Sequence, residues 1–163
     1  MLLAVLAAWL PAAAAPEAAS ENAVRAVLFY NFLKFADLPS TGSEQGTLTL
    51  CIASNDPDLL AMMEQLQGRR VHGRPISVQR GKQQACDAIY VDARARWQFL
   101  EDLPGTPRAL SVGAYPGFID DGGMVEVDFQ RNQPRFDINV AQARRAGIHF
   151  SPQLLQLARR VYE

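Results

Sequence analysis

The chain has 163 residues, and 16 Lys and Arg stand against 17 Asp and Glu for a formal net charge of -1 at pH 7. That balance gives no electrostatic case for holding nucleic acid or an anionic membrane surface. Lys34 and Lys82 are the only lysines, a bias toward arginine that we read as composition and not as function.

Leu2 to Leu10 is an unbroken apolar run, followed by Pro11 and the small stretch Ala12 to Ala15. An apolar core of this length ending in an A-x-A pattern reads as a secretory signal peptide over residues 1–15, too short to span a bilayer. It departs from the usual pattern in having no Lys or Arg ahead of the run. Residues 20–163 are then expected to form a single exported domain, long enough to bury a sizeable core.

Val24, Val27, Leu28, Phe32 and Phe35 recur at the helical period and predict an amphipathic helix from Ala23 to Phe35. Ser20 or Asn22 is placed to cap it, and Pro39 lies just beyond its end. After a polar loop from Ser40 to Gly46, the apolar run Leu48 to Ala53 reads as a strand covered on both faces. Asn55 or Asp56 then caps a helix that carries Pro57 in its first turn and stops at Gly68. A turn at Val71 to Pro75 leads to a strand from Ile76 to Gln79. Cys86 to Val91 is the next buried strand, Ala95 to Leu103 a helix, and Ala109 to Gly113 a further strand. Gly and Asp cluster from Gly117 to Gly123. Met124 to Phe129 and Arg135 to Ile138 make a hairpin whose alternation leaves one face wet, and two short helices follow. The expected fold is α/β, a mainly parallel central sheet flanked by helices, with a C-terminal β-hairpin and two short helices.

Winding such a sheet from the middle places the first buried strand between the next two, so Cys51 and Cys86 fall on neighbouring strands. In an exported chain a bond between them is permitted. It would stabilise the fold by about 3–4 kcal/mol on the chain-entropy account. Two buried thiols on adjacent strands fit the same sequence.

The residues that carry chemistry are sparse. His72 and His149 are the only histidines; neither stands at ligand spacing to Cys or carboxylates, and no G-x-S-x-G elbow is present. Asp120 and Asp121 are adjacent in a turn and point apart. No glycine pattern makes a phosphate loop, so no cofactor or metal is expected and the chain reads as a non-enzyme. Two binding surfaces remain. The carboxyl rim of the sheet carries Ser54, Asn55, Asp56, Asp92, Ala114 and Tyr115, where a small polar ligand fits an open parallel sheet. Arg135, Asp137 and Asn139 share one strand face, and Arg144, Arg145 and His149 follow closely, a set typical of an interface or of a solvated face with internal pairing.

Taken in order, Gly-Phe-x-x-x-Gly-Gly-Met (Gly117 to Met124), Arg135-Phe-Asp-Ile-Asn139, Ala143-x-x-Ala-Gly147 and Leu154-Leu-x-Leu-Ala-Arg159 resemble the YfiR family. Phe29 to Phe35 with Leu38-Pro39, and Cys86 to Tyr90, are similar to its opening helix and its mid-chain strand. The resemblance spans essentially all of the chain after the signal. It implies a periplasmic, non-catalytic α/β protein, often a homodimer, that represses an inner-membrane diguanylate cyclase by binding its periplasmic region. It further implies sequestration by an OmpA-like outer-membrane lipoprotein, and redox tuning through two disulfides. This chain matches one pair, Cys51 and Cys86; where a second pair can occur, around Asp121 and Asp128, there is no cysteine. The alternatives are a periplasmic small-ligand-binding sensor at the carboxyl rim and a hydrolase of unknown type.

Overall fold

The computed structural model describes residues 17–39, 46–81, 85–130 and 133–163. The expected signal segment and most of the polar loop lie outside the described residues. In chain order the elements are α1 (Glu17–Phe35), β1 (Ala36–Asp37), β2 (Leu48–Ala53), α2 (Pro57–Glu64), β3 (Arg70–Val71), β4 (Arg74–Arg80), β5 (Ala88–Val91) and α3 (Arg94–Leu100). They continue as β6 (Leu110–Gly113), β7 (Val125–Gln130), β8 (Gln133–Asn139), α4 (Val140–Arg145), β9 (His149–Phe150), α5 (Pro152–Leu157) and β10 (Arg160–Tyr162).

Eight strands form one sheet in the order β10-β8-β7-β6-β5-β2-β4-β3. The pairs β2–β4, β2–β5, β5–β6, β6–β7 and β8–β10 are parallel, while β3–β4 and β7–β8 are antiparallel hairpins. The first buried strand is thus flanked by β4 and β5, as winding from the middle requires. A separate two-stranded ladder joins β1 to β9, with Asp37 opposite His149.

Strand alternation decides which residues meet which helices. Leu48, Leu50 and Ile52 share a core with Tyr90, Leu110 and Val112 under α1, α2, α4 and α5. Cys51, Ala53, Ile89 and Val91 face the other way, toward Trp97 and Leu100 of α3. On β7 and β8, Val125, Val127, Phe136 and Ile138 enter the first core, and no residue of either strand belongs to the second. The far face of that hairpin instead carries Glu126, Asp128, Arg135 and Asp137. Its buried carboxylate, Asp137, is held by Arg159 through two hydrogen bonds of 2.8 Å, and the same guanidinium reaches Asp128 at 3.1 Å.

Cys51 and Cys86 are joined by a disulfide, with 5.9 Å between their Cα atoms. Ladder register sets Cys51 opposite Ile89. Cys86 therefore leaves the strand line ahead of Ala88 to reach its partner, which is why β5 begins two residues later than the apolar run predicts.

Other boundaries differ from the sequence reading, among them α2, which ends at Glu64 short of Gly68, and β4, which begins at Arg74 inside the expected turn. Helix α1 runs back to Glu17, so neither Ser20 nor Asn22 caps it; the Ala-rich segment before Ala23 has enough helix propensity to extend the coil. Asn22 donates instead to Asp56 at 3.2 Å. Helix α3 ends at Leu100, and the residues up to Pro104 continue as turns.

Candidate functional site

The residues expected to form a binding surface fall into two layers. Arg135 is exposed on β8 opposite Asp128, and Asp137 is buried beside it under Arg159. Both look away from the core that Phe136 and Ile138 enter. Asn139 ends the strand and caps α4, accepting from the Gln142 N–H at 2.9 Å. Arg144 and Arg145 project from the last turn of α4, whose Val140 and Ala143 pack into the first core. Arg145 donates to the Gln142 side chain at 2.8 Å, and His149 is exposed on β9. Thus Arg135 and Asp137 share a sheet face, while Arg144, Arg145 and His149 belong to the helical layer.

Folding also joins two residues that the sequence treats apart. His72 and His149 line one recess of about 550 Å³ together with Lys34 and Asp37. His72 sits at φ 49° beside Gly73 at φ 78°, the paired positive angles of a two-residue hairpin turn between β3 and β4. Its Nε2 lies 3.2 Å from the Ala36 carbonyl oxygen, so the ring spans from that turn to β1. Only the pairing of β1 with β9 brings His149 there, and strands of two residues leave no periodic signal.

A larger cleft, about 810 Å³, opens at the carboxyl ends of β2 and β4. Ser54 and Asn55 line it, as the rim reading expects, but so do Leu60 of α2, Arg80 of β4, and Arg96 and Phe99 of α3. Sequence reasoning missed these four because none carries a motif; they meet only through the crossover geometry. Asp56, Asp92 and Tyr115 have structural partners. Asp56 caps α2, and Asp92 accepts from the Ser54 hydroxyl and from Arg96 Nε. Tyr115 donates to Asp121 at 3.1 Å, and the Ala114 N–H bonds the Val91 carbonyl at 2.8 Å.

The buried phenols are held neutral. Burial pushes Tyr90 up to about 12, against the opposing pull of Arg25, whose Nη1 lies 3.2 Å from its oxygen. Burial also raises Tyr115, helped by the Asp121 carboxylate that accepts its hydrogen bond. Among the described residues no group of three or more His, Cys, Asp or Glu side chains is placed to hold a metal ion.

A family model described as YfiR/HmsC-like matches residues 22–159. The chain belongs to this family. Its members are periplasmic regulators of cyclic-di-GMP signalling, regulatory and not catalytic. None of the described helices is long and apolar enough to cross a membrane. Among solved structures, the chain is similar to a conserved domain protein from Vibrio cholerae O1 biovar El Tor strain N16961, at 12% identity and a TM-score of 0.56. The match covers 85% of this chain and 60% of that one, and at this identity it speaks to the fold alone.

Proposed function

We propose that this chain is a periplasmic repressor that binds the periplasmic region of an inner-membrane diguanylate cyclase, lowering cyclic-di-GMP and biofilm formation. Membership of the YfiR/HmsC-like family across residues 22–159 carries the reading. Two exposed polar surfaces, Arg135 on the sheet face and Arg144, Arg145 and His149 on the helical side, are each suited to steering and register with a partner. Asp137 shapes the first by anchoring Arg159, and Asn139 the second by starting α4. An OmpA-like outer-membrane lipoprotein that sequesters the protein, and a homodimer as the repressing form, belong to the same proposal.

Repression requires differential affinity. Moving a cyclase from mostly active to mostly inactive takes a preference of about 10⁴-fold for the inactive state. The test is to add purified protein to membranes bearing the cyclase and measure cyclic-di-GMP output. Saturable inhibition is expected; output unchanged at saturating protein, with no complex recovered, would overturn the reading. A second reading, a small-ligand sensor, is favoured by the cleft at the carboxyl rim.

A further inference from the structure

The cleft between α2 and α3 has the topology, lining and spare hydrogen-bonding capacity of a ligand site. From β2 the chain crosses through α2 to β4 on one side, then returns through β5 to the other side and crosses through α3. The two helices cover opposite faces, as their cores show: Leu59 and Leu60 lie in one, Trp97 and Leu100 in the other. The strand order therefore reverses at β2, and the crevice outside its carboxyl end is where open α/β sheets bind ligands. At about 810 Å³ it also has the size of a small-molecule site.

Its walls are divided in character. Ile52, Leu60, Ala95 and Leu100 supply apolar surface, and Phe99 stands over the opening with 75% of its area exposed. A large aromatic left in water at a cavity mouth is an energetic loss that an apolar occupant would recover. The polar side includes, beside Ser54 and Asn55, two guanidiniums with donors unused among the described residues. Arg96 gives Nε to Asp92 at 2.7 Å, and neither of its terminal nitrogens has a partner among the described residues. Arg80 spends Nε and Nη2 on a single oxygen of Glu64, at 2.8 and 2.6 Å, leaving Nη1 without a partner among the described residues. Each carboxylate thus fixes one flank of a fork and leaves donors for an oxyanion. The start of α2 is not the anion site, because Asp56 already takes the N–H groups of Asp58 and Leu59.

We propose that this cleft binds a small amphiphilic anion, an apolar chain bearing one carboxylate or phosphate head. The head meets Arg96 and Arg80, and the chain lies along Leu60, Ile52 and Phe99. The proposal gives chemical content to the sensor reading and deepens it. It does not depend on the cyclase, since binding is measured on the chain alone.

The test is calorimetric titration of the purified protein with octanoate and with octyl phosphate, both below their micelle-forming concentrations, with 1-octanol as the neutral control. Saturable one-to-one binding is expected for at least one anion. The arm that binds more tightly assigns the head group. Arg96→Gln is expected to weaken binding by about tenfold or more, the loss of charge-assisted hydrogen bonding. Phe99→Ser, at an exposed position, is expected to weaken it without lowering the melting temperature. Arg80→Gln guards against a folding defect in the Arg96 variant. No saturable binding of either anion, octanol binding as tightly as both, or affinity unchanged in both arginine variants would overturn the proposal. Repression of a cyclase lost or kept has no bearing on these outcomes, so the two proposals fail separately.

Discussion

Asp56 shows how much one side chain decides. Its carboxylate accepts from the N–H groups of Asp58 and Leu59 at 2.9 and 3.2 Å, closing the start of α2, and takes the Asn22 amide at 3.2 Å from α1. Desolvation alone would raise its pKa, but those donors outweigh it and the folded value lies below the ordinary 3.8. A depressed carboxyl stabilises the fold fully above its unfolded pKa, and that contribution fades as pH falls through the folded value. Asp56→Ala is expected to cost about 1 kcal/mol in urea melts at neutral pH. The gap from the parent should narrow in melts run below pH 3.8; a gap that widens on acidification would contradict the assignment. The cap was legible as Asn55 or Asp56 ahead of Pro57, because these residue types state their preference locally, and the structure selects Asp56. The glycines of the Gly117 to Gly123 segment were legible only as turn formers. A Cβ on Gly113 or Gly123 would come within 2.2 or 2.1 Å of the Phe118 ring, so both make room for that buried phenyl between Trp97 and Tyr115. No local rule reads a glycine in one strand as the socket for a side chain five residues on.

At the scale of elements, long periodic or apolar runs announced themselves. Strand β2 was read with its observed bounds, and the hairpin of β7 and β8 was read from its alternation. What escaped was short or defined by partners: β1 with β9, and β10 lying parallel to β8. Two or three residues carry no period, and their pairing follows from the docking of α1, α4 and α5. The disulfide belongs at this scale, since it ties β2 to the approach of β5 across 35 residues of chain. Reducing it is expected to lower stability by about 3 kcal/mol. Denaturant melts with and without reductant measure that loss. Mass analysis after alkylation without reduction should find no labelled cysteine; a doubly labelled chain would remove the bond from the folded protein. Both sulfurs are buried, so reduction should be slow until the fold opens.

For the molecule as a whole, the sheet is a partition. Its first face carries four helices and most of the apolar core, and its second carries α3 near β5 and a polar expanse on β7 and β8. The sequence showed a run of interface-like residues but not that Arg135 and Arg144 stand on opposite sides of that partition. Strand parity makes the split, and parity is invisible until register is known. A single partner docking flat against this domain therefore meets one set and not the other. Charge reversal separates them: one of Arg135→Glu and the double change Arg144→Glu with Arg145→Glu is expected to weaken partner binding by about tenfold, with melting temperature kept. Equal loss in both, or in neither, would show that the arginines do not define the docking face.

The parallel strand β10 guards the border of the sheet. Arg160 to Tyr162 lie along β8, and Arg159, gripping Asp137 and Asp128, rivets that short strip in place. Peeled away, it would bare Asp137 to Asn139 of β8 as well, lengthening the margin of vacant N–H and C=O groups on which an extended chain can pair. So slight a clasp at residue 159 therefore sets how much of the rim lies open to a neighbouring chain.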